Sequence, residues 1–283
     1  MKKNIGIVGL GFVGTAIFEG IKDAHNVFTY DNQKDCNVDS LEELVNNSNY
    51  IFMAVPTPMK KTGESDLSIL NKVISDIASK SSSKKTIIIK STSPVGTTEH
   101  FSQKYNNLDF VFNPEFLTEI NFVEDFKNQK FIILGGEKEV CEQVKKVFLK
   151  SFPACDYLIT TSNTAELVKY TINNFLALKV SFANEINSLC ETLDIDYNAM
   201  IDIATEDDRL GKSHWSVPGP DGKYGFGGSC FPKDVASLLY QLSSAGIESY
   251  IIKAAFNRNL NIDRPEKDWE MLKGRAVTEE ESS

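Results

Sequence analysis

At 283 residues, 41% hydrophobic and 24% charged, the chain is long enough for about two domains with buried cores, which excludes a disordered or fibrous protein. A net charge of −9 argues against a broad face that grips nucleic acid, because phosphate binding needs a basic field. Five cysteines, Cys36, Cys141, Cys155, Cys190 and Cys230, are odd in number and lack C-x-x-C spacing, so neither a disulfide framework nor a zinc site is expected and a reducing cytoplasm fits.

The opening MKKNIGIVGLGFVGTAIFEG sets two lysines ahead of an apolar run, as a signal peptide does. Its glycine spacing, Glu19 and the lack of a small-residue cleavage site read against one. No other stretch has the length and apolarity of a membrane span, so a cytoplasmic protein with no membrane partner is expected. Runs rich in Ile, Val and Phe over 5–9, 27–30, 50–55, 86–90, 110–112 and 130–134 read as buried parallel strands. Segments 12–22, 66–80 and 137–150 have helical spacing. The alternation predicts a doubly wound α/β parallel sheet with right-handed crossovers over residues 1–160.

From about Asn163 the character changes. Residues 164–193 carry no Pro or Gly and place apolar residues at three and four spacings, which predicts one long helix. Shorter helices are expected over 197–205, 232–245 and 249–259, making 161–261 a small all-helical domain. The long helix has more apolar surface than a small cap covers, so it is either a dimer seam or a helix buried within its own chain. After Asn261 the sequence turns polar, and the tail 262–283 is expected to be ordered only in part.

Gly9, Gly11 and Gly14 form G-x-G-x-x-G directly after the first predicted strand and at the opening of a helix. The first glycine permits the tight turn, the second lets the backbone approach a pyrophosphate, and the third allows close packing of helix on strand. The context predicts a Rossmann-type dinucleotide loop, the plainer alternative being a glycine turn with a surface aspartate. Asp31, at the end of the second strand, suits an adenine-ribose diol and repels a 2′-phosphate, which favours NAD over NADP. Lys34 lies close enough in sequence to soften that repulsion.

In GFGGSCFPKD, 225–234, Cys230 follows a glycine-rich turn and precedes a helix whose first turn contains Pro232. A helix N-terminus and Lys233 would both stabilise its thiolate. The other four cysteines read as small core residues.

The segments GLGFVG, PTP (56–58), KSTSPVGTT (90–98), NPEFLTE (113–119), AELVKYTINNFLALKVSFANEI (165–186) and GFGGSCFPKD, in this order over about residues 5–240, resemble the UDP-glucose/GDP-mannose dehydrogenase family. That resemblance implies oxidation of a nucleotide sugar, UDP-glucose first, at its C6 alcohol to the carboxylate, using two NAD per sugar. The aldehyde must gain a nucleophile before a second hydride can depart, and a cysteine supplies it as a thiohemiacetal. By motif position the resemblance implies that Cys230 is the nucleophile and that Lys169 and Asn173 hydrogen-bond the oxyanion. It implies that Asp234 and Thr92 hold or deprotonate a water, with Glu119 as base in the hydrolytic step, a role suited to a carboxylate shielded from solvent. Glu115, Phe116, Leu117, Glu119, Lys169, Asn173, Arg209 and Gly227 would border the substrate. Gly9, Gly11, Phe12, Val13, Gly14, Asp31, Lys34, Pro56, Thr57, Thr92, Glu119 and Lys233 would border the cofactor.

Each assignment has a plainer alternative. Lys169 and Asn173 can be the polar face of a long helix, Asp234 a carboxylate favouring the helix dipole, and Glu115 and Glu119 helix-start caps. Arg209, in DDRLG, is either an arginine that reaches substrate across the family's dimer interface or an ordinary surface residue. His25, His100 and His214 show no partner pattern and read as surface residues; Trp215 and Trp269 are uninformative.

Members of the family continue into a second α/β domain that clasps the nucleotide. The stretch after Asn261 is shorter than even a ~50-residue domain, so that part is expected to be missing. The Pro- and Gly-rich loop 215–228 is expected to bear on which sugar is accepted. Three readings stay open: a dehydrogenase of a nucleotide sugar or a smaller hydroxyl substrate, a non-catalytic NAD-binding subunit that needs a partner, and a β-hydroxyacid dehydrogenase that does not need the cysteine.

Overall fold

The computed structural model of the protein describes residues 2–279. Seven strands form one sheet: β1 (Asn4–Val8), β2 (Asn26–Tyr30), β3 (Tyr50–Met53), β4 (Lys85–Ile89), β5 (Leu108–Phe112), β6 (Phe131–Gly136) and β7 (Asp156–Thr160). Between them lie α1 (Phe12–Ile21), α2 (Leu41–Asn47), α3 (Ser68–Lys80), α4 (Thr97–Lys104), α5 (Phe122–Lys127) and α6 (Lys138–Phe148). The strand order is β2-β1-β3-β4-β5-β6-β7, so the sheet is doubly wound as expected and changes direction between β1 and β3. One pairing departs from the parallel pattern: β5 and β6 run antiparallel, matching only Val111 with Gly136 and Phe112 with Gly135.

Period-two alternation divides the core between the two faces of the sheet. Ile5, Ile7, Phe52 and Ile88 pack toward α1 and α6, against Ile17, Ile21, Val144 and Phe148. Val8, Ile51, Met53, Ile87 and Ile89 pack on the other side, with Leu44, Leu70, Ile74 and Phe101. Both faces are covered, so strands such as KTIII and YIFM are buried along their whole length. Each such fully buried side chain contributes about 1.5–3 kcal/mol relative to exposure. His25 belongs to this interior. Read from sequence as a surface residue, it is 2% exposed, with Nε2 3.0 Å from the Val147 carbonyl oxygen and Nδ1 accepting from the Lys3 N–H. Burial lowers its pKa, with the Val147 bond opposing.

The chain divides into two compact units, one comprising residues 1–57 and 67–169, the other residues 58–66 and 170 onward. The helix α7 (Ser162–Leu193) runs 32 residues without interruption, about 48 Å at 1.5 Å per residue. The second unit adds α8 (Tyr197–Ala204), α9 (Phe231–Ser244), α10 (Ile251–Arg258), a π turn over Asn259–Asp263 and a 3-10 turn over Asp268–Met271. Both tryptophans serve its packing: Trp215 lies in a cluster with Ala183, Cys190 and Tyr197, and Trp269 is buried. The described part of the tail is structured. Met59 bridges Ser65 and Val277, and the backbones of Met59 and Ala276 are hydrogen-bonded, so residues 58–66 and 276–278 form a small β-like patch. Residues 280–283 lie outside the described residues. Along α7, Phe175, Phe182, Leu189 and Leu193 are exposed, three of them seven residues apart.

Candidate active site and cofactor loop

In the first unit, the turn after β1 is built by glycine. Gly9 adopts φ +91°, and a Cβ there would stand 2.6 Å from the Ala54 carbonyl oxygen, just after β3. A Cβ on Gly14 would lie 1.8 Å from the Gly9 carbonyl oxygen, so α1 docks on the loop only because residue 14 has none. Gly11, the N-cap of α1, is different: a Cβ there meets nothing within 4 Å. No acidic residue stands in the first turn of α1 and no side chain caps Gly11. An N-terminus of this kind, beside the point where the sheet reverses, suits a pyrophosphate.

Asp31 leans over the loop from the end of β2. Its Oδ2 accepts from the Leu10 N–H at 2.7 Å and its Oδ1 from the Gln33 N–H at 2.8 Å. The carboxylate is thereby fixed at the rim of the loop, where it fits a ribose diol. Lys34 turns back to donate to the Leu10 carbonyl oxygen. Phe12 opens α1 at the surface against Phe122, and Val13 is half-buried. Thr57 is buried beside the exposed Pro56 and donates to the Thr92 carbonyl oxygen at 2.7 Å, which ties the loops after β3 and β4 together. The glycine clearance and the placed carboxylate fit the phosphates and ribose of NAD.

Lys169, on α7, is buried and donates to the Glu115 carbonyl oxygen at 2.5 Å and to Glu115 Oε1 at 2.9 Å. Its ammonium also lies 5.3 Å from the centre of the Phe116 ring. The Leu117 N–H donates to Glu115 Oε2 at 2.8 Å. Burial pushes the Glu115 carboxyl up, and Lys169 with that N–H outweighs it, so the group is held below its ordinary range. Glu119 is half-buried at the following turn.

In the second unit, Cys230 is the N-cap of α9, with Pro232 in the first turn, as the sequence predicts. Asp234, one turn on and buried, accepts from Asn173 Nδ2 at 2.6 Å and from Lys233 Nζ at 2.5 Å. Asn174 donates to the Asp234 carbonyl oxygen, and Tyr170 Oη lies 2.9 Å from Ser237 Oγ. The first turn of α9, and Cys230 with it, is thus held to α7 by polar bonds. The preceding loop is equally tied down. The Phe226 N–H and carbonyl bond the buried Asn259 side chain, and the Arg264 guanidinium lies against Gly227. Arg209 stands apart on an exposed loop, paired with Asp207.

Residues 32–152 match the NAD binding domain, and residues 163–261 the central domain, of the UDP-glucose/GDP-mannose dehydrogenase family. The chain belongs to this family. The UDP-glucose 6-dehydrogenase TuaD of Bacillus subtilis is 35% identical over 219 residues, which are 75% of this chain and 46% of that protein. The UDP-glucose 6-dehydrogenase of Rickettsia bellii is 35% identical over 223 residues, 77% of this chain and 50% of that protein. The chain therefore spans about half the length of the curated relatives it matches. A UDP-glucose dehydrogenase structure from Pyrobaculum islandicum aligns with 92% of this chain and 68% of its own, at 28% identity and a TM-score of 0.81. NAD is the cofactor of the first domain.

Two buried residues of the first unit escaped the sequence reading. Lys90, at the end of β4, donates to Asn113 Oδ1 at 3.0 Å and the Pro114 carbonyl oxygen at 3.4 Å. Glu166, on α7, accepts from the Gly96 and Thr98 N–H groups and the Thr98 hydroxyl, capping α4. Their signal was only a charged residue inside an apolar stretch.

Proposed function

We propose that the chain oxidises a nucleotide sugar, UDP-glucose first, at C6 to the uronic acid by way of a covalent bond to Cys230. NAD held by the loop 9–14 would supply the hydride acceptor, one molecule for each of the two oxidations, with NADH exchanged for NAD between them. In the proposed sequence the C6 alcohol first loses a hydride from carbon and a proton from oxygen. The Cys230 thiolate then adds to the aldehyde carbon: the C–S bond forms, and the carbonyl electron pair moves to oxygen, where Lys169 and Asn173 donate to it. Protonation gives the thiohemiacetal. Loss of a second hydride and that proton gives the thioester. Water then attacks the carbonyl, the C–S bond breaks, and the sulfur leaves as thiolate.

By the resemblance the base in the hydrolytic step is Glu119, with Asp234 and Thr92 holding or deprotonating the water. Shielding from solvent is the property that suits the role, and of the two glutamates it favours Glu115. The exposed row Phe175, Phe182, Leu189 and Leu193 supports a homodimer through α7, which would carry Arg209 toward a partner's substrate.

The position of Cys230 at the N-cap of a helix whose first turn is bonded to α7 is the observation that carries this reading. NADH release with UDP-glucose tests it. The native chain should give two NADH per sugar, and Cys230→Ala should form no uronic acid. NAD binding without turnover would instead favour a non-catalytic subunit, and oxidation that survives Cys230→Ala a hydroxyacid-type dehydrogenase.

A further inference from the structure

Within the first unit, two lysines share one carboxylate. Lys90 and Lys169 are both buried, and Glu115 is the acidic group that faces each of them. Lys169 grips Glu115 by its carbonyl and its carboxylate. Lys90 grips the two residues before it, by the Asn113 side chain and the Pro114 carbonyl. Asn113 in turn donates to the Ile133 carbonyl oxygen of β6, so the turn 113–115 is pinned from strand β4 on one side and β6 on the other. Phe126 closes the pocket over the Lys90 ammonium at 5.6 Å.

We propose that Lys90 is a positioning residue for the reaction: its ammonium anchors the Asn113–Pro114 turn and so fixes where Glu115 meets Lys169. This rests on the function proposed above. The cation has no other evident purpose, since a buried ammonium costs stability unless it is hydrogen-bonded and paired. The energetics agree. Burial, with Lys169 adding repulsion and Glu115 attraction, brings Lys90 down to about 7. Lys90 in turn is one of the charges that hold the Glu115 carboxyl low. The charged groups facing Lys90 are Glu115, from the 113–119 loop, and Lys169, from α7. Near neutral pH the charge on Lys90 therefore sets the field in which the Glu115–Lys169 pair works.

Carbon-13 NMR of the full chain, labelled in glutamate carboxyl and lysine ε carbons, tests this without relying on turnover. The Glu115 signal is identified by its loss in Glu115→Gln and the Lys90 signal by its loss in Lys90→Met. Native protein should show Lys90 releasing its proton near pH 7. The Glu115 midpoint should move upward in Lys90→Met and stay low in Lys90→Arg, which keeps the charge. In parallel, kcat with NAD and UDP-glucose should fall on the order of tenfold to a hundredfold in Lys90→Met, with NAD affinity unchanged and partial rescue by Lys90→Arg. An identical Glu115 midpoint in folded native and Lys90→Met proteins overturns the inference. So does a native Glu115 carboxyl signal that shows no response as Lys90 loses its proton, a readout that survives if Lys90→Met fails to fold. If the titrations behave as expected and no sugar nucleotide is oxidised, the anchor stands and the proposed reaction falls.

Discussion

The loops 9–14 and 225–230 both run into the N-terminus of a helix, α1 and α9, and both depend on glycines with positive φ, at Gly9 and Gly225. Their glycines make room for different things. At Gly11 the space where a Cβ would go is open. At Gly225 it is filled by Asn259 Oδ1, at 2.2 Å, and at Gly227 by the Arg264 guanidinium carbon, at 2.4 Å. One loop is left clear, as the proposed cofactor site needs, and the other is packed from behind by the protein at the residues that lead to Cys230. A G-x-G pattern alone does not separate these two uses; what stands opposite the missing Cβ does.

The comparison breaks first at Gly225. Gly225→Ala forces a methyl into the Asn259 side chain at a backbone angle of φ +65°, so it should cost about 2–4 kcal/mol, the sum of a left-handed penalty and overpacking. Denaturant unfolding followed by tryptophan fluorescence reads this directly, because Trp215 and Trp269 both belong to the second unit. Unchanged stability would mean that the loop is not held from behind.

A smaller and opposite effect is expected at Gly11. Its φ of −65° suits alanine and the space is open, so Gly11→Ala should leave the melting temperature unmoved. NAD should nevertheless bind roughly tenfold more weakly, about 1.4 kcal/mol, because the methyl occupies the approach of the pyrophosphate. Calorimetric titration of NAD checks this; equal affinity in the two proteins would remove the loop from the cofactor site.

How much of this was readable in the sequence follows from the range of the interactions. Strands β1 to β6 were legible as short apolar runs, largely buried in β1, β3, β4, β5 and β6 and only part-buried in the edge strand β2. β7, DYLIT, was missed: it is an edge strand in which only Tyr157, Leu158 and Ile159 are apolar. α2 carried a local start signal that went unused, Ser40 capping the Glu43 N–H. α4 carried none: its cap is Glu166, 68 residues from Thr98 along the chain. The loop 9–14 and the segment that carries Cys230 are contiguous in sequence, so both stand out before folding. Lys90 opens the segment KSTSPVGTT, yet its meaning lies in Asn113 and Pro114, which only folding brings to it. His25 fails for the same reason, its partner being Val147.

The packing behind the 225–230 loop also has an acid limit, the smallest of the expected effects. Arg264, which fills the space at Gly227, bonds Asp221 at 2.6 Å and Asp268 at 2.8 and 2.9 Å. Hydrogen bonds from Arg264, opposed by burial and joined by Lys223, hold Asp268 at about 2, against an ordinary value of 3.8. A carboxyl depressed in the folded chain binds fewer protons than in the unfolded chain, so its stabilisation is complete above about 3.8 and is lost as pH falls toward about 2. Asp268 is partly exposed, which keeps the contribution under about 1 kcal/mol. The urea midpoint, read by the fluorescence of the adjacent Trp269, should therefore drop between pH 4 and pH 2 in the native chain and drop less in Asp268→Asn. An equal drop in both would mean that Arg264 is held at Gly227 by Asp221 and by packing rather than by Asp268.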